Sequence, residues 1–381
     1  MSATARVVVV GGSGFYGRYL VDDVLQHTAA DVVVASRRAE SRASARHGRL
    51  RHVSVDHRDV DALVRVIDGA AVVVHCAGPF QRMPGRPMPL GPLRAALRTG
   101  VPYIDIAEAR DFRRAVLAER AEFGDAALIF SGASVVPGLQ LIALQDMSRH
   151  FDRIDDVRCS AAPDTRRHRG DAMFRALMHG LGTRFTAPRA GVPTPTFGWS
   201  EPEWVEFPPP IGRRLVYQVY EMADLDVVPS LCVARTVTFK AGTEFALLNR
   251  ALGQAAAVRA RTGHPRHAER LTTAARAFSW LLGTMGDDAG GFLIELRGAR
   301  AGRATRRAIG ITADHHGGRI PSLLAGVIVA DLLDGRLPHG PEPWGRWPTG
   351  QRVWSQFAAR GIKLWQREDN GDWARPSQDP P

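Results

Sequence analysis

The stretch Arg6-Val-Val-Val-Val-Gly-Gly-Ser-Gly-Phe-Tyr-Gly17 decides the fold. Its four valines predict a buried strand, and the residues from Phe15 to Gln26 predict an amphipathic helix. Between them lie glycines that fit G-x-G-x-x-G and also G-x-x-G-x-x-G. A turn without side chains lets the backbone approach a pyrophosphate, and the helix N-terminus favours its charge. We therefore expect a dinucleotide to contact Gly11, Gly12, Ser13, Gly14, Phe15, Tyr16 and Gly17.

The rest of the first 140 residues alternates strands with helices. The strands are predicted at Arg6–Val10, Asp31–Ala35, Val53–Val55, Ala70–Cys76, Tyr103–Ile106 and Ala127–Phe130. The helices after the first are predicted at Val60–Ile67, Leu90–Thr99 and Phe112–Phe123. This alternation indicates βαβ units, so we predict an α/β fold with a doubly wound parallel sheet of the Rossmann type.

From about Leu139 the rhythm changes to mixed strands and helices with long connections, which is typical of an α+β domain. Strands are predicted at Val157–Ala162, Trp204–Phe207 and Val233–Phe239, and a hairpin at Gly291–Arg297 and Ala304–Ala313. Helices are predicted at Leu139–Arg149, Thr243–Arg261, Arg266–Thr284 and Ile320–Leu333. The tail from His339 onward holds five tryptophans, which we expect to pack on the body of the protein.

The end of the second strand points to the form of the dinucleotide. Folds that bind NAD usually place Asp or Glu there to hold the ribose 2′-hydroxyl. This chain has Ser36, Arg37 and Arg38 instead. Two guanidinium groups and a hydroxyl suit a 2′-phosphate, which a carboxylate would repel. We therefore predict NADP as the cofactor.

Other motifs follow later strands at the same edge of the predicted sheet. The Cys76-Ala-Gly-Pro-Phe80 stretch and the Ser131–Gly138 loop would face the ribose and the nicotinamide. Cys76 itself fits a small buried residue better than a nucleophile. The further expected cofactor contacts are Asp56, Ala77, Gly78, Pro79, Phe80 and Ser134.

Two carboxylates, Asp105 and Glu108, lie just past the fifth strand. They are the best-placed groups for proton transfer or for holding an amine, so they are the predicted catalytic pair. The alternative is that each forms an ion pair with a neighbouring arginine. No acid or base beyond this pair stands out in the sequence.

Composition excludes several other classes of protein. The chain has 381 residues and a net charge of +11, but Lys240 and Lys363 are the only lysines among its 50 basic residues. The arginine excess fits a coding bias, and no helix has a basic stripe with interleaved aromatics, so nucleic acid is not an expected partner. The three cysteines form no pair typical of disulfides or zinc sites. Without an apolar run of about 18 residues or a signal peptide, we expect a cytoplasmic protein with no integral membrane segment.

Sequence motifs of other enzymes are missing. Short-chain dehydrogenases use Tyr-x-x-x-Lys, whereas here Thr236 and Ala359 stand four residues before the two lysines. There is also no H-E-x-x-H motif, no G-x-S-x-G elbow and no P-loop. We therefore predict no metal site and neither hydrolase nor P-loop chemistry.

The glycine loop, Cys76–Phe80, Tyr103-Ile-Asp-Ile-Ala-Glu108 and the Pro137-Gly138 loop resemble the saccharopine dehydrogenase-like oxidoreductases. The resemblance is best over residues 1–150 and returns weakly at Ile320–Gly340. It implies an NADP-binding Rossmann domain at 1–139, a domain for substrate and dimer contacts at 140–319, and a helix at 320–345 that returns to the first domain. The Trp-rich tail then covers 346–381.

That resemblance also implies hydride transfer to or from a carbon, commonly at a carbon–nitrogen bond, with a small-molecule substrate and a homodimer. The family includes enzymes that reduce carbon–carbon double bonds on lipid or polyketide chains, which is one alternative. Another alternative is a non-catalytic NADP-binding sensor or scaffold.

Overall fold

Two compact units make up the protein. A computed structural model describes residues 4–37, 48–123, 128–166, 170–263, 285–336 and 347–376. The first unit combines Met1–Leu139 with Pro321–Pro348, and the second combines Gln140–Ile320 with Thr349–Pro381.

Strands and helices alternate over residues 6–130, and the described residues after them contain both in a less regular order. The strands are β1 (Arg6–Val10), β2 (Asp31–Ser36), β3 (Leu50–Ser54), β4 (Val72–His75), β5 (Tyr103–Asp105), β6 (Ile129–Phe130), β7 (Arg153–Ala162), β8 (Arg184–Arg189), β9 (Val192–Phe197), β10 (Ser200–Glu206), β11 (Arg213–Gln218), β12 (Thr236–Ala241), β13 (Gly290–Arg300), β14 (Arg303–Ala313) and β15 (Lys363–Glu368). The helices are α1 (Phe15–His27), α2 (Val60–Ile67), α3 (Gly91–Thr99), α4 (Arg110–Phe123), α5 (Gln140–Ser148), α6 (Asp171–Gly180), α7 (Asp224–Leu231), α8 (Ala246–Thr262), α9 (Ile320–Leu333) and α10 (Gly350–Ala359).

The first unit contains a parallel sheet in the order β3-β2-β1-β4-β5-β6. This is the strand order of the doubly wound Rossmann fold, so the predicted fold class is confirmed. All four valines of β1 are buried, because a central parallel strand is covered on both faces. Helix α9 is buried almost all round, which explains why its sequence is apolar on every side.

The second unit contains a mixed sheet in the order β10-β11-β12-β7-β13-β14-β15. Strands β7 and β12 pair in parallel, and the other neighbours are antiparallel. The hairpin β13–β14 turns at Ala301 and Gly302, which both have positive φ. Such two-residue turns match the twist of antiparallel strands. A separate ribbon of β8 and β9 completes the unit.

Several predicted elements differ from the observed ones. Strand β3 begins at Leu50 rather than Val53, since an edge strand tolerates the polar Arg51 and His52. The ribbon β8–β9, strand β11 and helices α6 and α7 were not predicted. The tail contains α10 and β15, and β15 pairs with β14. The helix predicted at Arg266–Thr284 lies outside the described residues.

Candidate functional site

In the loop between β1 and α1, the backbone lies very close to itself and to the loop after β4. Gly11 has a φ of +83°, and a Cβ there would lie 2.7 Å from the amide nitrogen of Ala77. A Cβ at Gly17 would overlap the carbonyl oxygen of Gly11. Gly11 needs a positive φ and no Cβ, and Gly17 needs no Cβ. Glycine is the residue that has no Cβ and adopts positive φ freely. The loop after β4 therefore lies directly against the glycine loop.

The N-terminus of α1 presents backbone amides at this loop. Gly14 is the N-cap residue, no side chain caps the helix, and its first turn contains no acidic residue. The first intrahelical bond runs from the Arg18 amide to the Gly14 carbonyl at 3.0 Å. An uncapped helix N-terminus behind a glycine turn favours an anion through its amides and its dipole. These residues therefore fit a pyrophosphate.

Ser13 and Ser36 meet at the end of β2. The hydroxyl of Ser13 donates to that of Ser36 at 3.1 Å, which links the glycine loop to the strand end. Arg37 follows directly and is exposed, while its carbonyl accepts from Ser54 at 3.3 Å. Two hydroxyls thus lie beside the loop, and Arg37 is the next residue along the chain. Arg38, the other predicted ligand of the 2′-phosphate, lies outside the described residues.

Asp56 follows β3 and is held by Arg58. Its carboxylate accepts from the guanidinium of Arg58 at 2.6 and 3.1 Å. These hydrogen bonds hold the pKa of Asp56 well below its usual range. The pKa of His57 is lowered, chiefly by burial, and also by the nearby charges of Arg37 and Arg58. Asp56 is therefore an anion paired with Arg58. In a contact with a nucleotide, its carboxylate would accept hydrogen bonds.

The loop after β4 combines backbone and aromatic packing. The Cys76 amide donates to the Val10 carbonyl at 2.8 Å, which fixes Ala77, Gly78 and Pro79 beside the glycine loop. The Phe80 ring packs on Phe112, with centroids 4.8 Å apart. Its side chain therefore supports the loop from the core side.

Burial, together with the negative charge of Asp105, raises the pKa of the Cys76 thiol. A thiol is a nucleophile only as its thiolate, and here the thiolate is disfavoured. The raised pKa argues against a nucleophilic role, although Cys76 is half-buried rather than buried as the sequence predicted.

The two predicted catalytic carboxylates lie in different environments. Asp105 is fully buried, and its Oδ1 accepts from the amides of Ala107 at 3.0 Å and Gly132 at 2.9 Å. Burial raises its pKa to about 6. Asp105 thus ties the loop after β5 to the loop after β6, and it has no surface with which to reach a substrate.

Glu108 is only half-buried. Its Oε1 accepts from the Ser134 hydroxyl at 2.7 Å and lies 3.5 Å from the Val136 amide. The structure thus brings together Glu108 and Ser134, two predicted site residues from different loops. Of the two predicted carboxylates, Glu108 is the one with a partly accessible side chain.

A buried pair, His75 and Tyr103, was not predicted. The Nδ1 atom of His75 lies 3.0 Å from the Tyr103 hydroxyl, and both residues are fully buried. Burial lowers the pKa of His75 to about 3, so the imidazole is neutral. In the sequence, a histidine at the end of an apolar strand could have indicated such a pair, because a buried imidazole needs a polar partner.

Helix α9 also contributes to this unit in a way that the motifs did not reveal. The Ser322 hydroxyl donates to the Tyr16 carbonyl at 3.0 Å. A Cβ at Gly326 would overlap the carboxylate of Asp23 on α1. Helix α9 therefore holds the first turn of the glycine-loop helix in place.

Within the described ranges, no three His, Cys, Asp or Glu side chains form a group that could hold a metal ion. No helix in the described part of the chain is long and apolar enough to cross a bilayer.

Residues 7–130 match the family described as the saccharopine dehydrogenase NADP binding domain. The resemblance drawn from the motifs is thereby confirmed. No curated protein matches the chain.

Among solved structures, the apo saccharopine dehydrogenase (L-Glu forming) from Saccharomyces cerevisiae is similar over 96% of this chain and 100% of its own, with 14% identity and a TM-score of 0.65. This similarity shows a shared fold. Pen from Bacillus thuringiensis matches 33% of this chain and 50% of its own, with 16% identity and a TM-score of 0.29. Uronate dehydrogenase from Agrobacterium tumefaciens matches 28% of this chain and 42% of its own, with 20% identity and a TM-score of 0.24.

Proposed function

We propose, on the premise that residues 7–130 are a saccharopine dehydrogenase-type NADP-binding domain, that this protein is an NADP(H)-dependent oxidoreductase that transfers a hydride at a carbon–nitrogen bond. The observation that carries the proposal is the uncapped N-terminus of α1, with the hydroxyls of Ser13 and Ser36 beside it and Arg37 next along the chain. A glycine turn, helix amides, hydroxyls and a guanidinium together suit a nucleotide with an additional phosphate.

Each part of the proposed cofactor site has a separate task. The amides of the glycine loop and of α1 would bind the pyrophosphate, and Ser36 and Arg37 would bind the 2′-phosphate. The backbone of Ala77, Gly78 and Pro79 would form the wall beside the nicotinamide ribose. Bound NADP(H) supplies the hydride donor or acceptor, and the protein supplies binding, orientation and a proton route.

Glu108 is the proposed acid–base residue. Its carboxylate is partly accessible and is oriented by the Ser134 hydroxyl. A carboxylate at that place could hold a cationic amine or accept its proton. Asp105 is proposed as a positioning residue, because its hydrogen bonds to two backbone amides fix the loop that carries Glu108. The choice of a carbon–nitrogen bond rests on the family resemblance and agrees with the name of the yeast protein that shares this fold.

Cofactor binding tests the first half of the proposal. We expect NADPH to bind at least tenfold more tightly than NADH, because hydrogen bonds to a charged phosphate contribute about 1.5–3 kcal/mol. Arg37→Asp should abolish this preference. Arg65→Asp, which makes the same charge change at an exposed position of α2, should retain it. The binding is measured by fluorescence titration, and equal binding of both cofactors by the unaltered protein would refute the assignment of the 2′-phosphate site.

Turnover tests the second half. With NADPH we expect reduction of imines formed from amines and carbonyl compounds, and Glu108→Gln should lower kcat by about 10²–10⁴-fold, the usual effect of removing an acid–base group. Glu122→Gln, an exposed change on α4, is the control.

Two other outcomes would each favour one alternative. Reduction of enoyl compounds without any imine turnover would make the protein a carbon–carbon double-bond reductase. Tight NADPH binding without turnover of either class would favour the non-catalytic sensor.

A further inference from the structure

A polar cavity of about 260 Å³ lies on one face of the seven-stranded sheet in the second unit. Alternate residues of a strand point to opposite faces, so β7 buries Val157 and Cys159 on one side and presents Arg158 and Ser160 to the cavity on the other. The cavity belongs wholly to the second unit and does not include any residue of the proposed cofactor site.

The register of the sheet places charged and small residues in one row across five strands. Thr238 pairs with Arg158, Arg158 with Glu295, Glu295 with Ala308, and Ala308 with Arg367. Four strand spacings give this row a length of about 19 Å.

Two carboxylates already bind most of the cations in the cavity. Glu203 accepts from Arg158 at 2.8 and 3.0 Å and from Lys240 at 2.8 Å. Glu295 accepts from Arg297 and Arg306, each at 2.6 Å.

Counting all the lining residues, five cationic and three anionic side chains surround the cavity, which leaves two positive charges in excess. A cavity with this excess favours a dianion.

Arg367 is the lining cation that forms no direct ion pair among the described residues, although the charges of Glu295 and Glu206 act on it. Its side chain is only 9% exposed, and its Nε atom has no hydrogen-bond acceptor. One face of the guanidinium is covered by the Trp373 ring, 4.2 Å from its centroid. Burial and the nearby charge of Arg306 lower the pKa of Arg367. The Nε–H group is therefore an unused donor, and an anion would satisfy it.

Two hydroxyls add neutral donors to the cavity. Ser160 and Thr238 are 7% and 3% exposed, and both line the cavity. Neither hydroxyl hydrogen-bonds another side chain within the described part of the protein. Hydroxyl groups beside a guanidinium are donors that commonly bind phosphate oxygens.

We propose that this cavity binds a phosphorylated small molecule, whose phosphate accepts hydrogen bonds from Arg367 and whose remaining polar groups bind the hydroxyls of Ser160 and Thr238 farther along the cavity. A phosphate monoester carries close to two negative charges and three strong acceptor oxygens, which match the excess charge of the cavity and the guanidinium of Arg367. The planar guanidinium matches a phosphate with two parallel hydrogen bonds. The volume is slightly below the usual range for ligand pockets, about 300–1,000 Å³, so the ligand is a small metabolite rather than a dinucleotide.

Calorimetry with the full chain tests this site, using inorganic phosphate, glycerol 3-phosphate and succinate at constant ionic strength. We expect saturable binding of one phosphate compound per chain and weaker binding of succinate, which lacks a tetrahedral group. Tighter binding of glycerol 3-phosphate than of inorganic phosphate would identify an ester as the ligand, and the reverse order would identify free phosphate. Arg367→Gln should weaken the binding about tenfold or more.

Matched variants separate phosphate binding in this cavity from phosphate binding elsewhere on the protein. Arg303→Gln alters an exposed arginine at the start of β14 and should bind like the unaltered protein. Arg37→Asp should also leave this binding unchanged, so the result stays independent of the proposed cofactor site. Ser160→Ala keeps every ion pair and should weaken binding about threefold to tenfold, which tests the site even if Arg367→Gln fails to fold.

Three results would overturn the proposal. The first is the absence of saturable binding by both phosphate compounds. The second is equal weakening by Arg303→Gln and Arg367→Gln, which indicates general attraction to a basic surface. The third is succinate binding as tightly as phosphate.

Discussion

Replacing Asp105 by asparagine should stabilise the first unit at neutral pH and should have little effect near pH 4. Burial raises the pKa of this carboxyl from 3.8 to about 6 in the folded protein. Because one pKa unit corresponds to about 1.4 kcal/mol, ionising Asp105 lowers the free energy of unfolding by about 3 kcal/mol. The folded state keeps a proton that the unfolded chain has released, so this stability is lost as the pH rises from about 4 to about 6.

Asparagine can keep the two hydrogen bonds from the backbone amides, and it removes the charge. Its Oδ1 can still accept from the Ala107 and Gly132 amides, which lie 3.0 and 2.9 Å from the Asp105 oxygen. We therefore expect Asp105→Asn to be up to about 3 kcal/mol more stable than the unaltered protein at pH 7. Asp105→Ala removes the acceptor as well, and it should be destabilised by about 1–3 kcal/mol for each amide left without a partner.

The measurement is denaturant unfolding at a series of pH values, with hydrogen exchange of the Ala107 and Gly132 amides as the local readout. The difference between Asp105→Asn and the unaltered protein isolates this carboxyl from other groups that titrate in the same range. The reasoning is refuted if the asparagine variant is no more stable at pH 7, or if both proteins lose stability equally between about pH 4 and pH 6.

Two further predictions concern the glycine loop and the strand end beside it. Gly17→Ala should lower NADPH affinity at least tenfold, because its Cβ overlaps the carbonyl oxygen of Gly11 and backbone must move; Gly48→Ala, where a Cβ meets nothing within 4 Å, should bind normally in the same titration. The Cys76 thiol should react with iodoacetamide near pH 8 more slowly than a free cysteine, since burial raises its pKa. Rapid labelling of the Cys76 peptide, followed by mass spectrometry, would contradict this.

The sequence was most informative where one residue pattern has a single structural solution. The valine run of β1, the glycines after it and the amphipathic helix α1 fit a buried strand, a tight turn and a helix packed on a sheet. Helices α2 and α9 were predicted with the observed bounds, Val60–Ile67 and Ile320–Leu333. Local pattern and tertiary packing agree in these segments, so the fold class follows from the sequence.

Elements at the margins of sheets could not be predicted in this way. The ribbon β8–β9 contains Pro188, Pro193 and Pro195, which usually argue against a strand. A two-stranded ribbon has unpaired outer edges, where a missing N–H does no harm. Strand β15 carries Lys363 and Glu368 and reads as a polar tail, yet it adds to the sheet beside β14. Pairing of this kind depends on a partner far away in the chain, which periodicity does not reveal.

In the candidate site, too, the sequence motif predicted which residues are involved, whereas their surroundings decide what each can do. Asp105 and Glu108 are three residues apart and chemically alike, so sequence reasoning gave them one role. Their surroundings separate them, because Asp105 is enclosed by backbone amides while Glu108 keeps an accessible surface and a hydroxyl partner. A proton-transfer group must reach its substrate, and a buried carboxyl can only fix the loops that carry such a group. The Asp105→Asn variant therefore distinguishes the roles: a positioning residue that keeps its hydrogen bonds should preserve turnover, whereas a proton donor should not.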